Sequence, residues 1–243
     1  MEKVTVVCWK WQAYAGYRST FTAEHVNVFA RMVNRNCSGP HEVVCITDDP
    51  EGITEVDRII PLWDDYSDIP SPMDRPNRQQ HNPSCYRRLR MFAPDTADWL
   101  GNRVLSLDLD IVIRNDIYPL TQKPYDFAIW GDTNPRTTYN GGVILFTAGA
   151  RPQLLTEFAD DPQAAIQRGR ALGQFGSDQA WIGACLGPNE HKLGTSDGIY
   201  SFRNHCQKGV VLPSTTTMVL FHGAYDPWGA EAQKIDWVRT HWC

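Results

Sequence analysis

No apolar run in this sequence approaches the roughly 20 residues that a bilayer-spanning helix needs, so a membrane-spanning protein is not expected. There is no internal repeat and no linker-like stretch, which favours a single domain over residues 1–243. The opening Met1-Glu2-Lys3-Val4-Thr5-Val6-Val7 reads as an early strand. It lacks the charged start, apolar stretch and small-residue cleavage site of a signal peptide. The seven cysteines are odd in number and scattered, with no Cys-x-x-Cys pair. That pattern argues against a zinc site or a disulfide framework; reduced thiols, mostly packed in the core, and a cytoplasmic location are expected. A net charge of -5 gives no general attraction to nucleic acid, although a local basic patch is compatible with it.

Apolar residues make up 42% of the chain, enough for a sizeable core and too many for a disordered one. Residues 3–8 read as a buried strand, and an aromatic loop with Trp9, Trp11, Tyr14 and Tyr17 follows. Val26, Phe29, Met32 and Val33 recur at helical spacing within 22–35, with Thr22 placed to cap the start. His41–Thr47 and Ile59–Leu62 are the next strands. The order strand, helix, strand, strand predicts an α/β fold with a mainly parallel twisted sheet and helices on both faces. Residues 66–84 form a long polar loop with four prolines, and a helix is expected over Cys85–Phe92. Arg103–Ile113 is the clearest strand; Phe127–Trp130, Gly142–Phe146, Val210–Leu212 and Met218–Phe221 are further ones. Residues 152–172 and Ser177–Leu186 read as helices.

Asp108 and Asp110 interrupt the apolar run Val104-Leu105-Ser106-Leu107 and Ile111-Val112-Ile113. Two residues apart on a strand, they are expected to point to the same side. Like charges beside a core repel unless a cation compensates them, and oxygen ligands suit Mg²⁺ or Mn²⁺, ions often shared with substrate phosphates. An isolated Asp-x-Asp more often caps a strand end and faces water; the apolar flanks on both sides weigh against that here.

The run Val104–Ile113 resembles the Asp-x-Asp strand of retaining glycosyltransferases of the GT-A fold, and family eight in particular, the group of glycogenin and the bacterial lipopolysaccharide galactosyltransferases. Four other segments resemble that family's, in its order: Tyr86-Arg87-Arg88-Leu89, Tyr139-Asn140-Gly141-Gly142-Val143-Ile144, Ser177-Asp178-Gln179, and Val219-Leu220-Phe221-His222-Gly223 followed by Pro227-Trp228. The turn Cys45-Ile46-Thr47-Asp48-Asp49-Pro50 is similar to one in short bacterial and phage glycosyltransferases. The resemblance implies a single GT-A domain, with a nucleotide-binding part over about residues 1–115 and a sugar and acceptor part over about 116–243. It implies that Asp108, Asp110 and His222 hold Mn²⁺ or Mg²⁺, and that Asn140, Asp178 and Gln179 face the donor sugar and the reacting carbon. Donor contacts are expected from Val7, Cys8, Tyr14, Tyr17, Arg88, Leu109, Gly141, Gly223 and Trp228.

One departure stands out. The family's lysine before Pro-Trp, which faces the diphosphate, is replaced by Asp226, and Lys10, Arg203 and Lys234 are the alternatives. Arg75, Arg78, Arg87, Arg88 and Arg90 surround the long loop; surface arginines are by default a solvated face, but here Arg75 and Arg78 are expected to meet the acceptor. The expected partners are a nucleotide-sugar donor, most simply a UDP-sugar, and an acceptor hydroxyl on a glycan, lipid-linked sugar, protein or modified DNA base. Three other readings stay open: a nucleotide-sugar hydrolase or nucleotidyltransferase, a non-catalytic sugar-binding module, and sugar transfer to phage-type DNA.

Overall fold

The computed structural model describes residues 2–12, 20–69, 85–134, 137–174, 176–222 and 225–243, with the backbone alone at 132–134. Strand β1 (Val4–Lys10) is buried along its whole length. Helix α1 (Ala23–Arg35) starts after Thr22, whose backbone N–H donates to His25 Nδ1 at 3.1 Å. Strands β2 (His41–Thr47) and β3 (Arg58–Pro61) follow, then a 3₁₀ helix over Cys85–Phe92 and helix α2 (Thr96–Leu100). Next come β4 (Arg103–Leu107), β5 (Ile111–Ile113), α3 (Tyr118–Thr121), β6 (Phe127–Asn134) and β7 (Thr137–Thr147). The chain continues through α4 (Gln153–Asp160), α5 (Pro162–Ala171), α6 (Asp178–Leu186), β8 (His191–Leu193), β9 (Ile199–Ser201), β10 (Met218–Leu220) and α7 (Asp236–His241).

Seven strands form one sheet in the order β3-β2-β1-β4-β7-β6-β8, and β5-β10-β9 form a second. The run β3 to β4 is parallel throughout, β7 is antiparallel to both neighbours, and β8 is parallel to β6. Successive side chains of β1 serve opposite faces: Val4, Val6 and Cys8 join one core with α1, and Val7 and Trp9 join another with the 3₁₀ helix and α4 to α6. A strand covered on both faces has no polar side to show, which is why β1 reads as a nearly unbroken apolar run. The expected mainly parallel sheet flanked by helices is the observed architecture.

Several local expectations are corrected. Arg103–Ile113 is two strands in two sheets, because its apolar residues serve different ladders on either side of the aspartates. Strand β7 begins at Thr137 rather than at the expected Gly142, so Asn140 and Gly141 also lie inside it. Residues 152–172 break at Asp161, whose carboxylate accepts from Ala164 N at 3.0 Å and caps α5, with Pro162 at the first helical position. Val210–Leu212 is not a strand; Val210 and Val211 are 44% and 89% exposed, and neither has a ladder to join. Strands β8 and β9, three residues each, are too short to leave a period in the sequence.

The start of β4, the strand that delivers Asp108, is fixed by buried Arg103. Its guanidinium donates to the carbonyls of Thr121 at 2.8 Å, Tyr125 at 2.7 Å and Lys123 at 2.9 Å. Replacing Arg103 by Met leaves these acceptors unpaired, and we expect a stability loss of about 3 kcal/mol in urea unfolding. A loss below about 1 kcal/mol would mean that water satisfies the carbonyls instead.

Candidate active site

The order β3-β2-β1-β4 places β1 between two parallel neighbours whose connections run in opposite directions. Ligands of such sheets bind beyond the carboxyl ends of the strands at this switch point. Asp108 is the first residue past β4, and its N–H donates to Gly142 O of β7 at 3.0 Å. The chain then crosses to the small sheet, where β5 pairs antiparallel with β10 and Phe221 N donates to Asp110 O at 2.8 Å. The two aspartates are therefore held by different sheets, in a break between strands rather than along one strand as the sequence pattern implied. His222 follows Phe221, and the charge of Asp108 is felt at its imidazole.

The β6–β7 ladder shifts register at this point: Ile129 pairs with Ile144, but Trp130 pairs with Asn140. Residues 141–143 have no partner on β6, and the irregularity re-aims this stretch of β7. Asn140 Oδ1 accepts from Gly142 N at 2.8 Å, and Gln179 Oε1 lies 3.4 Å from Gly141 N. Both glycines are needed by close approach. A Cβ on Gly141 would lie 2.6 Å from Arg88 Nη2 and 3.4 Å from Asp178 Oδ2; one on Gly142 would lie 3.0 Å from Asn140 Oδ1 and 3.1 Å from Asp108 Oδ2.

Arg88 ties these pieces together. Its Nε and Nη2 meet Asp178 Oδ2 at 2.8 and 2.6 Å, and its Nη1 meets Asp108 Oδ1 at 2.7 Å. Burial works against the guanidinium charge, but Asp178 and Asp108 more than offset this and hold its pKa above the ordinary value. The Asp178 side chain is 4% exposed and that of Asp108 37% exposed, so the array has a dry end and a wet end, the open one at Asp108. Asp178 is also the first residue of α6, where the helix dipole favours an anion. Cys85 flanks the array; burial and the neighbouring Asp178 push its thiol up to about 11, so it stays protonated at neutral pH.

His222 Nε2 lies 2.6 Å from Ser201 Oγ, and its ring stands edge-on to Trp130 at 5.6 Å. Burial, and then the charge of Arg203, lower its pKa against the pull of Asp108, leaving the neutral form that ligates metals. Neither Cys85 nor Ser201 was singled out from sequence; a lone cysteine beside the Tyr-x-Arg-Leu segment and a serine ending a three-residue strand carry no signal of their own.

Other predicted residues stand apart. Val7, Cys8 and Leu109 point into the cores, so any donor contact from them would come from the backbone. Trp228 stacks on His25 at 4.0 Å and packs edge-on to Phe21, as a structural residue does. Among the surrounding arginines, Arg87 is not a solvated residue: it is buried and donates to Trp63 O at 2.9 Å, while Trp63 Nε1 donates back to Arg87 O at 2.7 Å. Arg90 faces Asp65 at 3.5 Å. Tyr14, Tyr17, Arg75, Arg78 and Gly223 lie outside the described residues.

Neither a protein-family model nor a curated protein matches the chain. Solved structures do. The galactosyltransferase LgtC, in complex with donor and acceptor sugar analogs, superposes with a TM-score of 0.65 over 97% of this chain and 93% of its own, at 13% identity. The glycosyltransferase GlyE of Streptococcus pneumoniae TIGR4 superposes with a TM-score of 0.57 at 12% identity, over 96% of this chain and 61% of its own. The chain has the GT-A glycosyltransferase fold. The fold expected from the ordered motifs is thus the observed one, and Asp108, Gly141 and Asp178 from three of them lie against Arg88.

Among the described residues no group of three or more His, Cys, Asp or Glu side chains is placed to hold a metal ion. The donor types, two carboxylates at a strand break, one of them partly exposed, and a neutral imidazole that feels the Asp108 charge, are nevertheless those that suit a divalent ion.

Arg88→Met removes the guanidinium in contact with nearly buried Asp178, and the loss of a buried partner costs about 3–5 kcal/mol. We expect urea unfolding to show a loss of that size, and the double variant Arg88→Met, Asp178→Asn to recover part of it. Full additivity of the two substitutions would show that the array is not a coupled unit.

Proposed function

We propose that the chain is a metal-dependent glycosyltransferase that moves a sugar from a UDP-sugar to an acceptor hydroxyl with retention of anomeric configuration. The observation that carries this reading is the Arg88 array. It joins Asp178 of α6, Asp108 at the end of β4 and the glycine floor of β7, with Asp110 and His222 alongside, in a fold shared with LgtC and GlyE. A divalent ion held by Asp108, Asp110 and His222 would supply Lewis-acid stabilisation of the departing diphosphate.

The protein's own groups have separable tasks. The bond from the sugar anomeric carbon to the phosphate oxygen breaks, and a bond to the acceptor oxygen forms. The acceptor proton passes to the leaving phosphate oxygen. Positive charge develops on the sugar ring in between, and Asp178, Asn140 and Gln179 are the groups assigned to stabilise it. Arg88 holds the Asp178 carboxylate in place, and its Asp108-facing edge is assigned to the donor. Arg75 and Arg78 remain the proposed acceptor contacts. No helix among the described residues is long and apolar enough to cross a membrane, and a cytoplasmic enzyme belongs to this reading.

The test is transfer from a UDP-sugar in the presence of Mn²⁺, followed by proton NMR of the product. We expect one anomer, of the donor's configuration. Excess chelator should stop the reaction, and Asp110→Ala should lower it by at least about 100-fold, the scale set by losing charge stabilisation at a leaving group. Undiminished transfer in chelator would remove the metal from the proposal. Free sugar released at the same rate with and without acceptors would make the protein a hydrolase.

A further inference from the structure

A departing diphosphate carries more negative charge than a divalent ion balanced by Asp108 and Asp110 can neutralise, so the site needs a further cation. Most candidates are already committed. Arg88 is engaged by Asp178 and Asp108, and buried Lys10 by the side chain of Asp49 at 2.5 Å and its carbonyl at 2.7 Å. Lys234 pairs with Glu231 at 2.6 Å on an exposed stretch of surface. Arg203 is different. It is exposed, and among the described residues it has no hydrogen bond or ion pair.

Its position is fixed by the backbone around it. Phe202 N donates to Leu220 O at 2.9 Å, and the Phe202 ring stacks on Phe221 at 4.3 Å, which registers this turn against the end of β10. Ser201 Oγ accepts from Asn204 N at 2.9 Å and lies 2.6 Å from His222 Nε2, so the turn bearing Arg203 closes on the oxygen that touches the proposed ligand histidine. Resting on the glycosyltransferase reading above, we propose that Arg203 is the cation that binds the diphosphate of the donor and of the leaving nucleotide. The pKa of His222 is lowered first by burial and then by the charge of Arg203, which places the guanidinium within electrostatic reach of the imidazole. A guanidinium on a mobile stem can take two phosphate oxygens at once, which a single ammonium does less well.

The experiment is calorimetric titration of UDP, and of uridine alone, into wild type, Arg203→Gln, Arg203→Lys and Lys234→Gln with Mn²⁺ at pH 8, where His222 is neutral in every variant. Arg203→Gln should weaken UDP binding roughly 10- to 100-fold, the range of one charge-assisted contact to phosphate. Uridine binding should be unchanged, Arg203→Lys should recover part of the loss, and Lys234→Gln should bind as wild type. Titration of Mn²⁺ alone separates an indirect route: removing a nearby cation should leave metal binding equal or tighter, so weaker UDP binding would not come from lost metal. Equal UDP affinity in wild type and Arg203→Gln would overturn the assignment and leave the glycosyltransferase reading standing. Equal losses for UDP and uridine would overturn it too, as a merely structural effect. No UDP binding by wild type would remove both the UDP-donor reading and this inference.

Discussion

A guanidinium held between two carboxylates is the constraint on which the site depends. Arg88 comes from a 3₁₀ helix, Asp178 from the start of α6 and Asp108 from the end of β4, and their three-way contact fixes these elements relative to one another. It also dictates what lies beneath. With the guanidinium lying over Gly141 and the Asp108 carboxylate over Gly142, β7 has no room for side chains there. Burying such a group is not an efficient way to stabilise a fold, because desolvation of the charges offsets most of their attraction. An array of this kind, dry at one end and open at the other beyond the ends of parallel strands, is better understood as a site kept ready for a charged ligand.

The two-sheet arrangement gives that site its composition. A single continuous strand through Asp108 and Asp110 would have presented both carboxylates from one ladder. Instead β4 stops, the chain crosses, and β5 enters a small sheet whose middle strand, β10, leads directly into His222. The residues that carry the acid pair and the histidine are thus joined through the β5–β10 ladder. The register shift in β7 has a matching effect on the other side, since it frees residues 141–143 from β6 and brings Asn140 and Gln179 against the same floor.

How much of this was legible in the sequence depended on period and on length. The buried parallel strands β1 and β2 and the amphipathic α1 declared themselves through unbroken or 3.6-spaced apolar residues. The ordered motifs named Arg88, Asn140, Asp178, Gln179 and His222, and the structure gathers all five with the Asp pair. Sequence reasoning failed where one apolar run served two sheets, as at Arg103–Ile113, because periodicity does not report a change of partner. It also missed the first half of β7, where Gly141 and Gly142 carry no strand signal and leave room for Arg88, Leu220 and Asp108. Ser201 left no trace because its role comes from a contact with His222, 21 residues away in the chain. Trp228 was assigned to the donor, yet its ring is occupied by His25; an aromatic residue beside a motif looks the same in sequence whether it stacks on a ligand or on the protein.

The most direct test of this account is whether a nucleotide sugar is felt at Arg88 itself. The buried, ion-paired Nε–Hε group of Arg88 should give its own nitrogen–proton correlation in NMR, assignable by Arg88→Lys. Titrating a UDP-sugar with diamagnetic Mg²⁺ should move that signal saturably, with the same apparent Kd that calorimetry gives for the whole protein. A UDP-sugar that binds by calorimetry while the Arg88 signal stays fixed would place the donor elsewhere and contradict the account.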